Sequence, residues 1–445
     1  MAALKSIYKK LGEAAGSAVL RPLLETSIQL GVTGLTRSGK TVFITSLVDQ
    51  LLNPKLLKTY FGKYDLHARI VHQQYFDVAP FTYKENMKSL RAGQWPKATD
   101  SISEIRLEVK YKGETRFFTN KTLYLDIVDY PGEWLLDLPL LLIDYAQWSA
   151  QVADRLKNEL APQWAALGRR FNQNANFSDE NIAEVAASYT QWLFDLKKQG
   201  RSLIQPGRFV LPGDLLGSPL LEFVPWVWGA IEKPKSNEAL INVLARRYEE
   251  YKSKVVKNFY EKHFKRLNRQ IVLVDCLTSL KQGALSLYDL IDTLKILSEN
   301  FAYGKLGVLK RILGFESKID HIAFAATKAD HILPAQYTHL KNLLRYIVSE
   351  AERTAKIENV ATGYFPLASV KAAKVVEDSG RQGLAVGDKG INPGEIPEHL
   401  TLSIIEKFSE RFHLLTLPPP ELSLNDPLPH INMGEVLQFL LKDTM

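Results

Sequence analysis

The apolar positions of this chain recur with two periods, and the changes between them mark its elements. A short apolar run from Ser27 to Thr33 ends in a glycine-rich turn, and helical spacing takes over from Val42 to Leu52. The segment therefore reads as strand, loop and helix. Ile102 to Tyr111 alternates apolar and polar residues through Ile105, Leu107 and Val109. Lys112 and Gly113 supply a turn and Arg116 to Val128 a returning strand, which predicts a hairpin. From Leu136 to about Arg266 the pattern is long and helical, with tryptophans at Trp148, Trp164 and Trp192 and a Pro/Gly-rich interruption from Gln205 to Pro234. Strand and helix then alternate again: an apolar run over Ile271 to Leu277, a helix through Leu285 to Leu297, and strands at His321 to Ala326 and Tyr364 to Ala368. Such alternation predicts an α/β fold with a mostly parallel sheet flanked by helices.

The same pattern divides the chain. Residues 1–27 place Leu4, Ile7, Tyr8 and Leu11 on one face of an amphipathic helix, with Lys5, Lys9 and Lys10 between them. Such a helix either docks on a membrane surface or a partner, or packs against its own domain, which is the plainer reading. Residues 28–136 and 267–445 read as two parts of one core, and residues 137–266 as a large, mostly helical insertion. Within the second part, 378–397 is rich in glycine and charge and predicts an exposed, mobile loop. Pro418 to Pro429 reads as an irregular crossing and Met433 to Leu441 as a closing helix.

Composition narrows the classes. At 445 residues, 46% hydrophobic and 24% charged, the chain suits a globular protein of about two or three domains. The longest apolar run, Phe223 to Ile231, falls well short of the roughly 20 residues that cross a bilayer, and the N-terminus lacks the apolar core of a signal peptide. A cytoplasmic protein is expected. The single cysteine, Cys276, excludes an internal disulfide framework and a multi-cysteine zinc site. The net charge of +7 suits an anionic partner, but the 56 basic and 49 acidic residues are interspersed and no reader motif accompanies them, so no nucleic acid is expected.

The strongest chemical signal is Gly34-Leu-Thr-Arg-Ser-Gly39-Lys40-Thr41, a GxxxxGK[ST] phosphate loop between a predicted strand and a predicted helix. Its glycines let backbone N–H groups approach a β-phosphate, Lys40 neutralises the β/γ oxygens, and the Thr41 hydroxyl suits Mg²⁺. Gly34, Thr36, Arg37, Ser38, Gly39, Lys40, Thr41 and Val42 are the candidate phosphate contacts. Asp129-Tyr-Pro-Gly132 at the end of an apolar strand has the DxxG form: Asp129 can hold the Mg²⁺ water shell, and the Gly132 N–H can bond a γ-phosphate. Thr327-Lys328-Ala-Asp330 follows a third strand, and a carboxylate there accepts from the guanine ring N–H and amine, which adenine does not match. Ser369-Val370-Lys371, after a fourth strand, can offer backbone N–H groups to the guanine carbonyl.

These four elements, in this order at predicted strand ends, resemble the GTPase superfamily of P-loop proteins, whose ligands bind at that edge of an open sheet. The resemblance implies a Ras-like core using GTP/GDP and Mg²⁺, with Thr in place of the commoner Asn at 327. Over most of the chain, including TRSGKT, DYPGEW, the helical insertion and a PHIN segment near the C-terminus, the sequence resembles the YcjX family of stress-inducible bacterial P-loop GTPases. That family implies a cytoplasmic GTPase made with stress-response genes and encoded beside a predicted membrane protein. A membrane-associated protein partner at the inner membrane is the corresponding expectation.

Catalytic candidates follow. Glu133 stands where many GTPases place a water-orienting Gln. A carboxylate accepts from water but cannot donate to the γ-phosphate, which predicts slow hydrolysis; the alternative is that Glu133 points to solvent. The loop GLTRSGKT resembles that of the guanylate-binding proteins, which implies that Arg37 can act as an internal arginine finger, positioned by the insertion or by a second copy in a homodimer. The alternative is an Arg bonded to a neighbouring loop. Spacing does not fix the Mg²⁺-contacting Thr of the first switch loop; Thr99 is the first candidate and Thr82 the second. The insertion begins directly after Asp129 to Trp134, so loss of the γ-phosphate could be transmitted to it. The leading function is a GTPase switch. Its rivals are a membrane-associated scaffold with negligible turnover and an ATP-dependent kinase or ATPase.

Overall fold

The computed structural model describes residues 25–35, 38–61, 66–74, 78–98, 100–112, 120–156, 179–226, 238–301, 319–357, 359–378, 381–386, 389–423, 426–441 and 443–444. Strand β1 (Glu25–Gly34) is followed by α1 (Lys40–Leu52), α2 (Pro54–Phe61), β2 (His67–Val71), β3 (Ala79–Pro80) and α3 (Tyr83–Arg91). The hairpin strands β4 (Ser103–Lys112) and β5 (Asn120–Asp129) come next. The helices α4 (Tyr145–Leu156), α5 (Asp179–Lys198) and α6 (Glu238–Tyr251) then precede β6 (Arg269–Val274), α7 (Cys276–Lys281) and α8 (Ala284–Phe301). The chain continues through β7 (His321–Ala326), α9 (Tyr337–Ile347), α10 (Ser349–Ile357) and β8 (Ala361–Pro366). Last come β9 (Lys374–Asp378), β10 (Arg381–Val386), β11 (Lys389–Ile391), α11 (Leu402–Arg411) and α12 (Met433–Leu441).

The main sheet runs β2-β4-β5-β1-β6-β7-β8, with β3 beside β4. The run β5-β1-β6-β7-β8 is parallel, and β4 is antiparallel to both β5 and β2. Parallel strands buried on both faces alternate between two cores. Ile271 and Leu273 of β6 pack with Ile28, Leu30 and Val32 of β1 against α1 and α12. Val272 and Val274 face the opposite core, which also takes in α4 to α10. The described helices between β5 and β6 thus share a core with the sheet. Their centre is aromatic: Trp148 stacks on Tyr248 with ring centroids 5.1 Å apart and meets Phe223 at 5.5 Å. The hydroxyls in this cluster are bonded, Tyr145 to the Val224 carbonyl at 2.7 Å and Tyr189 to that of Gln205 at 3.1 Å, which removes the cost of burying them.

Two expectations change. The stretch 378–397 is not simply a mobile loop, because β9, β10 and β11 form a three-stranded antiparallel sheet. Leu384 is buried, Gln336 Nε2 donates to the Gly394 carbonyl at 3.1 Å, and the Ile396 N–H donates to Gln336 Oε1 at 2.9 Å. Strand β8 begins at Ala361 and ends at Pro366, before the expected Ala368, because after the Leu367 N–H bonds the Ala326 carbonyl at 2.7 Å the chain turns from β7 and Ala368 pairs with Ile431 instead. Of the helix expected over residues 1–27, residues 1–24 lie outside the described residues and 25–27 belong instead to β1; Trp164, in 157–178, also lies outside the described residues. No helix among the described residues is long and apolar enough to cross a membrane.

Candidate functional site

The carboxyl ends of β1, β5, β7 and β8 meet along one edge of the sheet, and the four sequence elements lie there. In the Gly34–Thr41 loop, Gly39 takes a left-handed φ of 85° just before the first turn of α1, a conformation open to glycine. Lys40 Nζ donates to the Gly34 carbonyl at 2.8 Å, so its charge is turned back into the loop. No acidic residue stands in the first turn of α1, leaving the positive end of the helix dipole unopposed. Thr36 and Arg37 lie outside the described residues.

Asp129 ends β5 fully buried, aligned with Val32 of β1 and Ser103 of β4. Gly132 lies against the loop: a Cβ there would come within 2.8 Å of the Gly34 carbonyl oxygen. The hydroxyl of Thr41 and the carboxylate of Asp129 are hard oxygen donors that fit a cation taking its remaining ligands from water and phosphate, as Mg²⁺ does. Thr82 is exposed at the start of α3 and does not line the cleft described next. Thr99 is outside the described residues, although its neighbours Ala98 and Asp100 do line that cleft.

A cleft of about 650 Å³ runs from Ser38–Val42 to Asp330 and Ser369–Val370. Asp330 Oδ2 accepts from the N–H groups of Ala372 at 2.9 Å and Ala373 at 3.5 Å, so the carboxylate is anchored by the loop after β8. Lys328 adopts φ 63°, unusual for a side-chain-bearing residue. Its Nζ is held by Asp275 Oδ2 at 2.5 Å and Thr278 Oγ1 at 2.9 Å. Thr327, in place of Asn, bonds the Val274 carbonyl through its N–H at 2.9 Å and its hydroxyl at 3.4 Å. The Lys371 N–H is spent on the Pro429 carbonyl at 2.7 Å, which corrects its expected availability to a ligand and leaves the role to Ser369 and Val370. His331 also lines the cleft, and burial holds its pKa below the usual imidazole value.

The PHIN segment buttresses this end. Ile431 and Ala368 exchange backbone hydrogen bonds at 2.9 and 3.3 Å, Asn432 Nδ2 donates to the Pro366 carbonyl at 2.9 Å, and the Leu428 N–H donates to Asp49 Oδ2 of α1 at 2.8 Å. Sequence reasoning missed Trp95 and the strap Leu414 to Leu417, both in the cleft wall and joined by Trp95 Nε1 donating to the Leu417 carbonyl at 2.8 Å. A lone tryptophan in a polar stretch is a faint signal; the strap carries none.

Glu133 does not point to solvent. It is 1% exposed, and Oε1 accepts from Lys197 Nζ of α5 at 3.0 Å, an ion pair that offsets the cost of burying the carboxylate.

A family model described as "YcjX-like family, DUF463" matches residues 28–445. A protein of Escherichia coli (strain K12) named "Ras-like GTPase YcjX" is 36% identical over 459 residues, covering 96% of this chain and 98% of its own length. A protein of the same name from Shewanella oneidensis is 33% identical over 475 residues, covering 96% of each. With the Gly34–Thr41 loop and an anchored acid both contributing to one cleft, and these matches along nearly its whole length, the chain belongs to the YcjX-like family.

Proposed function

We propose that this chain binds GTP in the cleft and, with Mg²⁺, hydrolyses it slowly to GDP and phosphate, acting as a conformational switch in a bacterial stress response. The observation that carries this reading is that Lys40 and Asp330 line the same cleft, one suited to phosphate and the other to guanine. The printed name of both relatives, Ras-like GTPase, supports it. Gly34, Thr36, Ser38, Gly39 and Lys40 cradle the phosphates, Thr327, Lys328 and Asp330 hold the base with Ser369 and Val370, and Thr41, Asp129 and Thr99 hold the cation. When bound, Mg²⁺ supplies neutralising charge between the β- and γ-phosphates. Arg37 adds a finger from the loop. The Gly132 N–H senses the γ-phosphate, and the Glu133–Lys197 pair carries its loss to α5 of the insertion 137–266. The protein works in the cytoplasm, with its N-terminal helix available to a membrane-associated partner at the inner membrane, and a homodimer is the arrangement that would set Arg37.

Binding and phosphate release are expected to favour GTP over ATP, with turnover falling at least about 100-fold in Arg37→Ala at unchanged GDP affinity. Equal use of ATP would overturn the base assignment, and undiminished turnover in Arg37→Ala would remove the finger. One observation favours a scaffold with negligible turnover: Glu133 is already engaged by Lys197. Multiple turnover under excess GTP rejects that reading.

Trp95 should report the ligand directly. GDP binding is expected to change tryptophan emission in the wild type, and Trp95→Phe to remove most of the change; an equal response in both would place the ring away from the nucleotide.

A further inference from the structure

Two stretches of the cleft wall, far apart in sequence, are joined by a hydrogen bond at the protein surface. Trp95 to Ala98 and Leu414 to Leu417 both line the cleft that Lys40 and Asp330 line. Trp95 Nε1 donates to the Leu417 carbonyl at 2.8 Å across 322 positions. Among the described residues, neither stretch has another hydrogen bond or an ion pair to the rest of the protein.

The ends of both stretches are fixed. Before the first, Met87 and Leu90 seat α3 against Val370 and Leu428. The helix closes at Gly93, whose N–H bonds the Leu90 carbonyl at 3.0 Å and whose φ of 70° is left-handed, in open surroundings. Beyond that stretch, Ser103 enters β4 in register with Asp129 of β5. The second stretch leaves α11 through Phe412, which is buried and stacks on Phe408 with ring centroids 4.5 Å apart. The His413 N–H bonds the Pro393 carbonyl at 3.1 Å. At its other end the stretch runs into Pro418-Pro-Pro420. A turn starting at Leu417 would need an N–H from Pro420, which has none, so the Leu417 carbonyl takes its donor from elsewhere in the chain. The indole of Trp95 is that donor. It is 41% exposed, so water competes for the bond, and the bond can break while the anchored ends stay in place.

We propose that the Trp95–Leu417 hydrogen bond is a clasp that gates the passage of guanine nucleotide into and out of the cleft. This rests on the reading that the cleft holds guanine nucleotide. Closed, the clasp ties one wall segment to the other. Open, each stretch is free to move between its fixed ends, and no packed core has to come apart. Opening then limits the release of GDP, and a strap remote in sequence from both the Gly34–Thr41 loop and Asp330 decides how long the protein keeps its nucleotide.

Uptake and release of GDP labelled with a fluorophore on its ribose, followed on that fluorophore, test this in the full chain. Trp95→Phe keeps an aromatic ring and removes the donor; both rates are expected to rise together by about 2-fold to 12-fold, the factor that one net hydrogen bond supplies. A second variant carries Trp95→Cys with Leu417→Cys and is joined, with labelled GDP bound, by a short bis-methanethiosulfonate. The native Cys276 is fully buried and burial pushes its thiol pKa up, so it does not compete for the reagent. Joining is expected to slow release at least about tenfold relative to the same protein before joining, and reductant to restore it. Because that comparison is made within one protein, a folding defect cannot imitate it. Faster release in Trp95→Phe with unchanged uptake would mark a contact of the bound state, and release unaffected by joining would show that the two stretches need not part. Either result overturns the clasp, as do wild-type rates in Trp95→Phe, and all three leave the nucleotide reading standing. A wild type that takes up no labelled GDP overturns both.

Discussion

Asp330→Asn is expected to change the base this protein prefers from guanine to xanthine. In the wild type, one carboxylate oxygen already accepts from Ala372, and the acid faces the cleft as a pure acceptor. Guanine meets it with two donors, the ring N–H and the amine. A hydrogen bond to a charged group is worth about 1.5–3 kcal/mol, so losing both would cost GDP about 150-fold to 25,000-fold in affinity. The Asn variant can keep its oxygen on the Ala372 N–H and turn its amide NH₂ to the ligand. That donor clashes with the guanine amine but matches the carbonyl that xanthine carries instead. Calorimetric titration with GDP, XDP and ADP should show GDP weakened by at least about 100-fold and XDP strengthened by a similar factor. An unchanged ratio of GDP to XDP would mean that Asp330 does not read the base.

Lys40→Ala should remove nucleotide binding while sparing the fold. The ammonium has one hydrogen bond described within the chain, to the Gly34 carbonyl, and it is only half-buried, so the substitution strands no buried charge. Its loss from a bound triphosphate is a different matter, because stripping the cation from charge-assisted contacts costs about 2–5 kcal/mol. Affinity for GTP is expected to fall about 30-fold to 5,000-fold, and phosphate release to become undetectable. Without nucleotide, the variant should unfold within about 1–2 °C of the wild type, since surface changes of this kind stay near 0.5 kcal/mol. A large fall in that unfolding temperature would show that Lys40 serves the loop's structure instead.

The strand, loop and helix around Gly34–Thr41 were legible because local rules decide them. A strand, a loop closed by Gly39 and a helix starting at Lys40 are all set within 28 residues, Glu25–Leu52, and α12 begins and ends where its apolar spacing does. The strand β7 and the acid after it were equally plain. What stayed hidden depends on partners far along the chain. Glu133 meets Lys197 across 64 positions, and the Lys371 N–H meets a carbonyl 58 positions away. No periodicity encodes such pairings. Strand β2, antiparallel to β4 at the edge of the sheet, is partly exposed along its whole length and so lacks the apolar alternation that reveals a strand. In 378–397, glycine and charge masked strands that need only short ladders and one buried Leu384.

The buttress formed by residues 428–432 also sets a schedule for synthesis. The phosphate loop leaves the ribosome early, but the loop that anchors Asp330 is braced only when the segment around Ile431, about 400 residues after Gly34, has emerged. At roughly 5–20 residues per second, that interval is about 20–80 s. During it, a nascent chain would carry the Gly34–Thr41 loop without a braced Asp330, and would have little power to capture GTP. A chain cut short before Pro429 would remain in that condition, so retention on a guanine-nucleotide resin would separate finished molecules from incomplete ones.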